Sequence, residues 1–170
     1  MILCPLEDAK KYTDSYVKVA ASTQASDTLA LFQRPDITTY GATAAAAQKA
    51  YAAAGITASD IQVAEVHDVY SVGGLMAMQD LGFYKKGEAG KAMLEGQCHF
   101  DSGKVAINTS GGLKARGHPI GATGVAQIVE IADQLRGRAE GRQVKDAKYG
   151  LAQNVGGTGS AVTVSILEAI

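Results

Sequence analysis

This sequence has few of the residues that mark disulfide-rich, metal-binding or nucleic-acid-binding proteins. It contains two cysteines, three prolines and no tryptophan in 170 residues. Cys4 and Cys98 lie too far apart to form a metal-ligand spacing, and so few cysteines favour a reducing, cytoplasmic compartment. The formal net charge of −1 gives no excess of positive charge, which argues against nucleic acid and anionic membrane surfaces as partners.

Long hydrophobic runs are also missing. No apolar stretch is long enough to span a bilayer, and the first residues turn polar at once, so we expect neither a membrane segment nor a signal peptide. Apolar residues nevertheless make up 46% of the chain, which suits one domain with a sizeable core. Glycine is plentiful, with 20 residues in the chain.

Five of these glycines fall within residues 108–124, NTSGGLKARGHPIGATG. A short apolar strand, KVAIN, leads into this stretch, and a segment with helical periodicity follows it. Free backbone N–H groups and the positive end of a helix dipole are therefore expected at the turn. A lone histidine is more often an ordinary surface residue, but the glycines around His118 favour a functional site.

The remaining pattern predicts the order β, helix, β, helix, β, helix, β, β. This order implies a layered α/β fold with a mixed five-stranded sheet and covering helices, parallel at its centre and closed by an antiparallel terminal pair. Residues 1–4 look like the end of a further, buried strand. Helices are expected over residues 39–55, 71–83 and 125–135, with Thr38 or Thr39 and then Ser71 as N-caps and Gly55 at the first C-terminus.

Three glycine- or histidine-bearing elements follow strands: His67-Asp68, the stretch around His118, and residues 154–159. Strand ends of a layered α/β fold can converge on one pocket. Two histidines without further ligands make a poor metal site, so no metal is expected. Beside backbone N–H groups they suit an oxyanion, as in acyl transfer or carbon–carbon bond formation next to a thioester carbonyl. Neither cysteine lies in a glycine-rich turn that would stabilise a nucleophilic thiolate.

Residues 108–124 closely resemble the C-terminal signature of thiolases, NxxGGxxxxGHPxGxxG. VHDVY at 66–70 resembles the HDxF element of archaeal and sterol-carrier-protein-type thiolases, and QNVGGTG at 153–159 resembles their closing HNxGG motif. The order and spacing agree over essentially the whole chain. The resemblance implies that residues 13–170 form the C-terminal domain of a thiolase and that residues 1–12 are a remnant of its N-terminal half.

By that resemblance, His118 activates a nucleophilic cysteine and contributes to an oxyanion hole. His67 takes the place where many thiolases carry a water-positioning asparagine. The substrate is a coenzyme A thioester, no covalently bound cofactor is needed, and the partners are acyl-CoA and the N-terminal half, in a homo-oligomer. The other implied site residues line the pocket (Asn154, Gly156, Gly157), shape the turn beneath it (Asn108, Gly111, Gly112) or lie near the pantetheine arm of coenzyme A (Ser71, Leu75, Met76). Tyr70 is a further candidate for substrate binding.

The sequence departs from the thiolase pattern at the acid/base cysteine. Thiolases carry it either in the closing motif, where this chain has Asn154, or after His-Asp, where it has Val69. The acid/base step must then be performed by His67, by a water or by a cysteine from elsewhere, or the protein catalyses a different reaction. Two other functions therefore remain open: a thiolase-related aldolase in which Tyr70 is the acid/base, and a non-catalytic acyl-CoA- or lipid-binding module.

Overall fold

A computed structural model describes residues 1–101 and 103–170. Its centre is a five-stranded sheet in the order β1-β5-β4-β2-β3. The strands β2, β3 and β4 are mutually parallel, whereas β5 runs antiparallel to both β4 and β1. The sheet is mixed, as predicted, and the last two strands of the chain are antiparallel. The parallel strands β4, β2 and β3 lie on one side of the sheet rather than at its centre, because β5 lies between β1 and β4. The strands are β1 Val17–Ser26, β2 Val63–Glu65, β3 Ala106–Ile107, β4 Tyr149–Gly156 and β5 Ala161–Ala169.

The described residues also form five α-helices and four short 3₁₀ helices, the first of which precedes β1. Two of the α-helices, Ala89–Leu94 and Gly112–Arg116, lie outside the three predicted helical segments, and the second is inside the glycine-rich stretch. None of the helices among the described residues is long and apolar enough to cross a membrane. The α-helices are α1 Gly41–Ala54, α2 Ser71–Asp80, α3 Ala89–Leu94, α4 Gly112–Arg116 and α5 Thr123–Leu135, and the 3₁₀ helices are Leu6–Lys11, Leu31–Gln33, Ala58–Asp60 and Glu140–Arg142.

The two faces of the sheet are covered by different helices. Alternate strand residues point to opposite faces, so Leu151 and Ile166 join the larger core with α1 and α2. Val63 and Ala152 join the smaller core on the other face, where Ile131 of α5 packs. The molecule therefore has three layers, with the sheet in the middle.

Helix α1 packs on the sheet through its smallest side chains. Ala42, Ala46, Ala47 and Ala50 are all buried, which lets the helix approach β1 and β5 closely. Gly55 ends the helix in the left-handed conformation with a φ of 69°, as predicted.

The predicted N-caps of α1 were wrong. The hydroxyl groups of Thr38 and Thr39 donate to the Asp36 carboxylate instead. The N-cap residue is Tyr40, and its backbone N–H donates to the Asp80 carboxylate of α2 at 2.7 Å. Distant Asp80 therefore satisfies a donor that a local threonine was expected to satisfy.

Helix α5 buries polar residues in addition to Ile131. Gln127, Glu130 and Gln134 are buried, whereas Val125 and Val129 are 49% and 43% exposed. The apolar periodicity predicted the helix correctly, but only part of that apolar stripe meets the sheet.

Two further predictions are corrected by the structure. Residues 1–4 form no strand, and Ile2 is 91% exposed. Ser71 is the first residue of α2 rather than its cap, which is Tyr70 in an extended conformation.

Candidate functional site

The candidate site lies at the carboxyl ends of the parallel strands. His67 and Asp68 follow β2, and Asn108 follows β3 directly. Asn154 lies near the end of β4, the third parallel strand. Ligands of α/β sheets bind at this edge, so the predicted convergence of the three elements is realised in the topology.

Hydrogen bonds fasten the turn before α4 to the end of β2. The Asn108 side-chain oxygen accepts the Val66 N–H at 2.7 Å, and the Asp68 carboxylate accepts the Leu113 N–H at 2.7 Å. Asn108 itself has a left-handed φ of 52°. A side chain at Gly112 would overlap the Asp68 carboxylate and the Asn108 amide, so the close approach requires glycine there.

The two histidine rings meet edge to face. The centroids of His67 and His118 are 4.9 Å apart, with an angle of 89° between the ring planes. The Gln153 side-chain oxygen accepts the backbone N–H of His67 at 2.9 Å. Burial, followed by the neighbouring His118, lowers the pKa of His67 to about 4, so this ring is neutral near pH 7. Its Nδ1 is buried without a hydrogen-bond partner among the described residues.

His118 is held by the first turn of α5. Its Nδ1 lies 2.7 Å from the Thr123 hydroxyl oxygen, which in turn lies 3.2 Å from the Pro119 carbonyl oxygen. Thr123 is fully buried. With Nδ1 occupied, Nε2 is the ring nitrogen left for a substrate or a nucleophile.

Asn154 is fixed by a buried glutamine of α5. Its side-chain amide donates to the Gln127 oxygen at 2.9 Å, and the Gln127 amide donates to the Gln153 carbonyl at 3.0 Å. A Cβ at Gly124 would lie 3.5 Å from the Asn154 amide nitrogen, so this side chain sits against the start of α5. Asn154 and His118 are thus held by the same end of the same helix.

Carboxylates support the glycine-rich turn from the side of α5. Buried Glu65 accepts hydrogen bonds from the Ser110 N–H at 3.1 Å and from the Ser110 hydroxyl at 2.6 Å. Burial raises the pKa of Glu65 despite these bonds. The Glu130 carboxylate accepts a hydrogen bond from the Thr109 hydroxyl and two hydrogen bonds from the Arg142 guanidinium. Burial opposes ionisation of Glu130, but these hydrogen bonds outweigh it and lower its pKa.

The turn between β4 and β5 is held by a buried arginine. The Arg34 guanidinium donates three hydrogen bonds, two to the Thr28 carbonyl and one to the Thr158 carbonyl at 2.8 Å. Gly157 lies in this turn next to Ser160 and Leu29, and Gly156 is the last residue of β4, next to Ala161. Their predicted role in lining the pocket stays a prediction.

The four predicted substrate-binding residues lie at the start of α2. Tyr70 is 71% exposed and Ser71 is also exposed. Leu75 packs partly against the larger core, and Met76 is buried. Tyr70 and Ser71 are therefore the two of these residues that are open to a ligand in this structure.

Neither cysteine is placed for nucleophilic catalysis. Cys4 is exposed, before the first 3₁₀ helix. Cys98 lies 3.5 Å from the Tyr84 hydroxyl, and burial raises the pKa of its thiol, which is opposite to what a nucleophile needs. Among residues 1–101 and 103–170, no group of three or more His, Cys, Asp or Glu side chains could hold a metal ion.

A family model described as "Thiolase C-terminal domain-like" matches residues 23–169. This chain belongs to the thiolase family. It is 51% identical over 168 residues to an acetyl-CoA acetyltransferase of Methanothermobacter thermautotrophicus, covering 99% of this chain and 44% of that protein. It is 44% identical over 123 residues to sterol carrier protein 2 of Bos taurus, covering 72% of this chain and 22% of that protein.

A solved structure shows the same thiolase fold. The Ltp2-ChsH2(DUF35) aldolase superposes with a TM-score of 0.86 at 26% identity, covering 96% of this chain and 42% of that chain. The thiolase domain thus spans less than half the length of the curated archaeal relative and of this structural neighbour.

Several residues that build the candidate site were not predicted from the sequence. Thr123 follows His118 by five positions, which is a recognisable spacing for a residue at the start of the next helix. Gln127 and Gln153 carry a weaker signal, since each is a polar residue within an apolar helix or strand. Arg34 gives no local signal, because its partners come from residues 28 and 158.

Proposed function

We propose that this chain supplies the histidine-bearing side of the active site of a thiolase-type acyl-CoA C-acyltransferase. The reaction is the Claisen condensation of acyl-CoA, for example to acetoacetyl-CoA, or its reversal by thiolysis. The acyl group passes through a cysteine thioester. The observation that carries the proposal is the edge-to-face contact of His67 and His118, 4.9 Å apart, at the carboxyl ends of the parallel strands.

The two histidines divide the work because their environments differ. His67 is neutral near pH 7, since its pKa is lowered to about 4, so it can offer an uncharged N–H to a developing oxyanion. His118, held at Nδ1 by Thr123, directs Nε2 at the nucleophile and sets its reactivity. Asn154 and the backbone of the glycine-rich turn complete the polar lining.

The nucleophilic cysteine comes from outside residues 1–170 in this proposal. Cys4 and Cys98 both lack the required environment, and the curated archaeal relative is more than twice as long as the matched region. His67 or a water performs the acid/base step, because Val69 and Asn154 occupy the places of the usual cysteines. A polypeptide contributing the N-terminal half is therefore the expected partner.

A chimera tests this function. The matching segment of the Methanothermobacter acetyl-CoA acetyltransferase is replaced by this chain, and acetoacetyl-CoA cleavage is measured. The chimera should turn over and the 170-residue chain alone should not. His118→Ala in the chimera should lower kcat by about 10²–10⁴-fold, as expected for loss of a general base or an oxyanion donor.

His99→Ala is the matched control for that substitution. The chain's remaining histidine, His99, follows α3, and its Nδ1 lies 2.5 Å from the Asp101 carboxylate. Its loss should leave kcat unchanged. Turnover by the isolated chain, or a chimera indifferent to His118→Ala, would refute the proposal. Retained coenzyme A binding without any His118-dependent turnover would favour a binding module.

An aldolase acting on a coenzyme A thioester is the second candidate. Two observations favour it: the similarity to the Ltp2-ChsH2(DUF35) aldolase, and the exposed Tyr70 that caps α2 beside His67 and Asp68. In that case the Tyr70 hydroxyl is the acid/base. Tyr70→Phe should then abolish retro-aldol cleavage of a β-hydroxyacyl-CoA, and survival of cleavage would exclude Tyr70 from that role.

A further inference from the structure

The Thr123 hydroxyl has two acceptors within reach. Its oxygen lies 2.7 Å from His118 Nδ1 and 3.2 Å from the Pro119 carbonyl oxygen. A hydroxyl group has one proton to donate and lone pairs with which to accept. Thr123 is fully buried, so water does not compete for this proton. The hydroxyl therefore has two alternative orientations, and each requires a different proton position on His118.

In the first orientation, Thr123 donates to Nδ1. The proton of the neutral imidazole is then on Nε2, so His118 presents an N–H. In the second orientation, Thr123 donates to the Pro119 carbonyl and accepts from Nδ1–H. The proton is then on Nδ1, and Nε2 presents a lone pair.

Both orientations keep the 2.7 Å contact between the Thr123 oxygen and Nδ1, so this distance does not select one of them. The second orientation adds a bond to the Pro119 carbonyl. That carbonyl already accepts the N–H groups of Ala122 at 2.8 Å and Thr123 at 3.0 Å, so it is a weak acceptor for a third donor. In the second orientation, however, Nδ1–H still has the Thr123 oxygen as its acceptor, and no buried donor is left unpaired.

We propose that Thr123 is a positioning residue whose rotating hydroxyl allows His118 to adopt both neutral tautomers. The consequence for catalysis rests on the function proposed above. With the lone pair on Nε2, His118 takes the proton of the cysteine thiol, and the imidazolium keeps donating Nδ1–H to Thr123. With the proton on Nε2, the same ring donates to the oxyanion of the next step. One side chain thus serves as base and as donor without moving.

Nitrogen-15 NMR of the imidazole rings tests the proposal on this chain without any substrate. The sequence has three histidines, and His118→Gln assigns the His118 signals by their loss. At a pH where the His118 ring is neutral, both of its nitrogens should resonate between the pyrrole-like and pyridine-like positions, as expected for rapid tautomer exchange. A spectrum with one fully pyrrole-like nitrogen in the unmodified chain would overturn the proposal.

Thr123→Val removes the hydroxyl at nearly constant volume. A protonated Nδ1 would then lack an acceptor, so His118 should shift to one tautomer, with a pyridine-like Nδ1 and a pyrrole-like Nε2. Thr123→Ser should restore the exchanging spectrum. Thr23→Val is the matched control, because the Thr23 hydroxyl also donates to a buried backbone carbonyl, that of Ala46, and its loss should change nothing.

Identical His118 signals in Thr123→Val and the unmodified chain would overturn the role of the hydroxyl. If Thr123→Val does not fold, the spectra of the unmodified chain and of Thr123→Ser test the proposal, because both must show tautomer exchange of His118. Failure of the acyltransferase proposal would leave these spectra unchanged, so the two outcomes are distinguishable.

Discussion

Helices α1 and α5 are nearly equal in length, at 14 and 13 residues, but α1 buries mainly alanines whereas α5 buries mainly polar side chains. Helix α1 packs alanines against the sheet and exposes polar residues such as Gln48 and Lys49. Helix α5 buries Gln127, Glu130 and Gln134 as well as Ile131, and it leaves Val125 and Val129 half exposed. Helix α1 contributes mainly to the larger core, and α5 positions residues of the candidate site.

This difference follows from what each helix must hold. The buried side of α5 supplies hydrogen bonds to Asn154, to the glycine-rich turn and to His118, and such polar groups are stable only with their partners in place. On its outward side, Val125 and Val129 remain half exposed, with no described residue covering them fully. In the proposed intact enzyme, that side is a place for further protein to pack.

The largest effect is expected in the alanine packing of α1. Ala46 has no exposed surface, so Ala46→Leu should force apart the helix and the sheet and reduce the free energy of unfolding by about 3 kcal/mol. Ala45→Leu, at an exposed position of the same helix, is the control and should change it by less than about 0.5 kcal/mol. Urea denaturation followed by circular dichroism measures both. Equal effects would contradict tight packing of α1.

The same experiment on α5 targets a polar side chain. Gln127→Leu deprives the Asn154 amide and the Gln153 carbonyl of their partners, and should reduce the free energy of unfolding by about 2 kcal/mol. Gln48→Leu, on the exposed side of α1, is the control and should have almost no effect. A stabilising Gln127→Leu would show that α5 is an ordinary apolar helix in this respect.

A smaller effect is expected from pH, through His67. Its pKa is lowered to about 4 in the folded state, so between about pH 6.5 and pH 4 the unfolded chain binds the proton more tightly. Stability supplied by the neutral ring is therefore present at higher pH and lost as the pH falls. Relative to pH 7.5, the loss at pH 5 should be about 1–2 kcal/mol, reduced where solvent reaches the ring.

A His67→Gln variant isolates this contribution. The raised pKa values of Glu65 and Asp80 act in the opposite direction, because those folded-state carboxyl groups hold protons more tightly than the unfolded chain does. The difference between the unfolding curves of the two proteins at each pH removes their effect. A difference that is independent of pH would mean that His67 titrates normally.

A substitution on the outer side of α5 is expected to have the smallest effect on stability and a clear effect on self-association. Val129→Lys should change the free energy of unfolding by less than about 0.5 kcal/mol, because Val129 is already 43% exposed. It should reduce self-association of the chain, measured by sedimentation velocity, since exposed apolar patches drive association. Ala53→Lys on α1 is the control and should leave association unchanged.

The sequence predicted the sheet and the central turn well because both depend on local signals. Apolar runs marked the strands, and glycines with His118 marked the turn at a strand end. The orientation of α5 was not predictable in the same way. Hydrophobic periodicity locates a stripe but does not say which side meets the sheet, and Gln127 finds its partners at residues 65 and 153.

Other misses share this cause. Residues 1–4 have the composition of a buried strand, but no described strand pairs with them. The N-terminus of α1 is served by Asp80, 40 positions away, whereas the nearby threonines are taken by Asp36. Local propensity does not predict a helix cap when a side chain distant in sequence accepts the hydrogen bond of the backbone N–H group.

The hydrogen bonds of Arg34 restrict which substitutions the sequence can accept during evolution. Its three hydrogen bonds join residues 28 and 158 through a rigid, forked guanidinium that lysine cannot reproduce. A side chain at Gly159 would also meet the Tyr40 ring and approach the same guanidinium. Positions 34, 40 and 159 are therefore expected to vary together among relatives, although more than one hundred residues separate the first from the last.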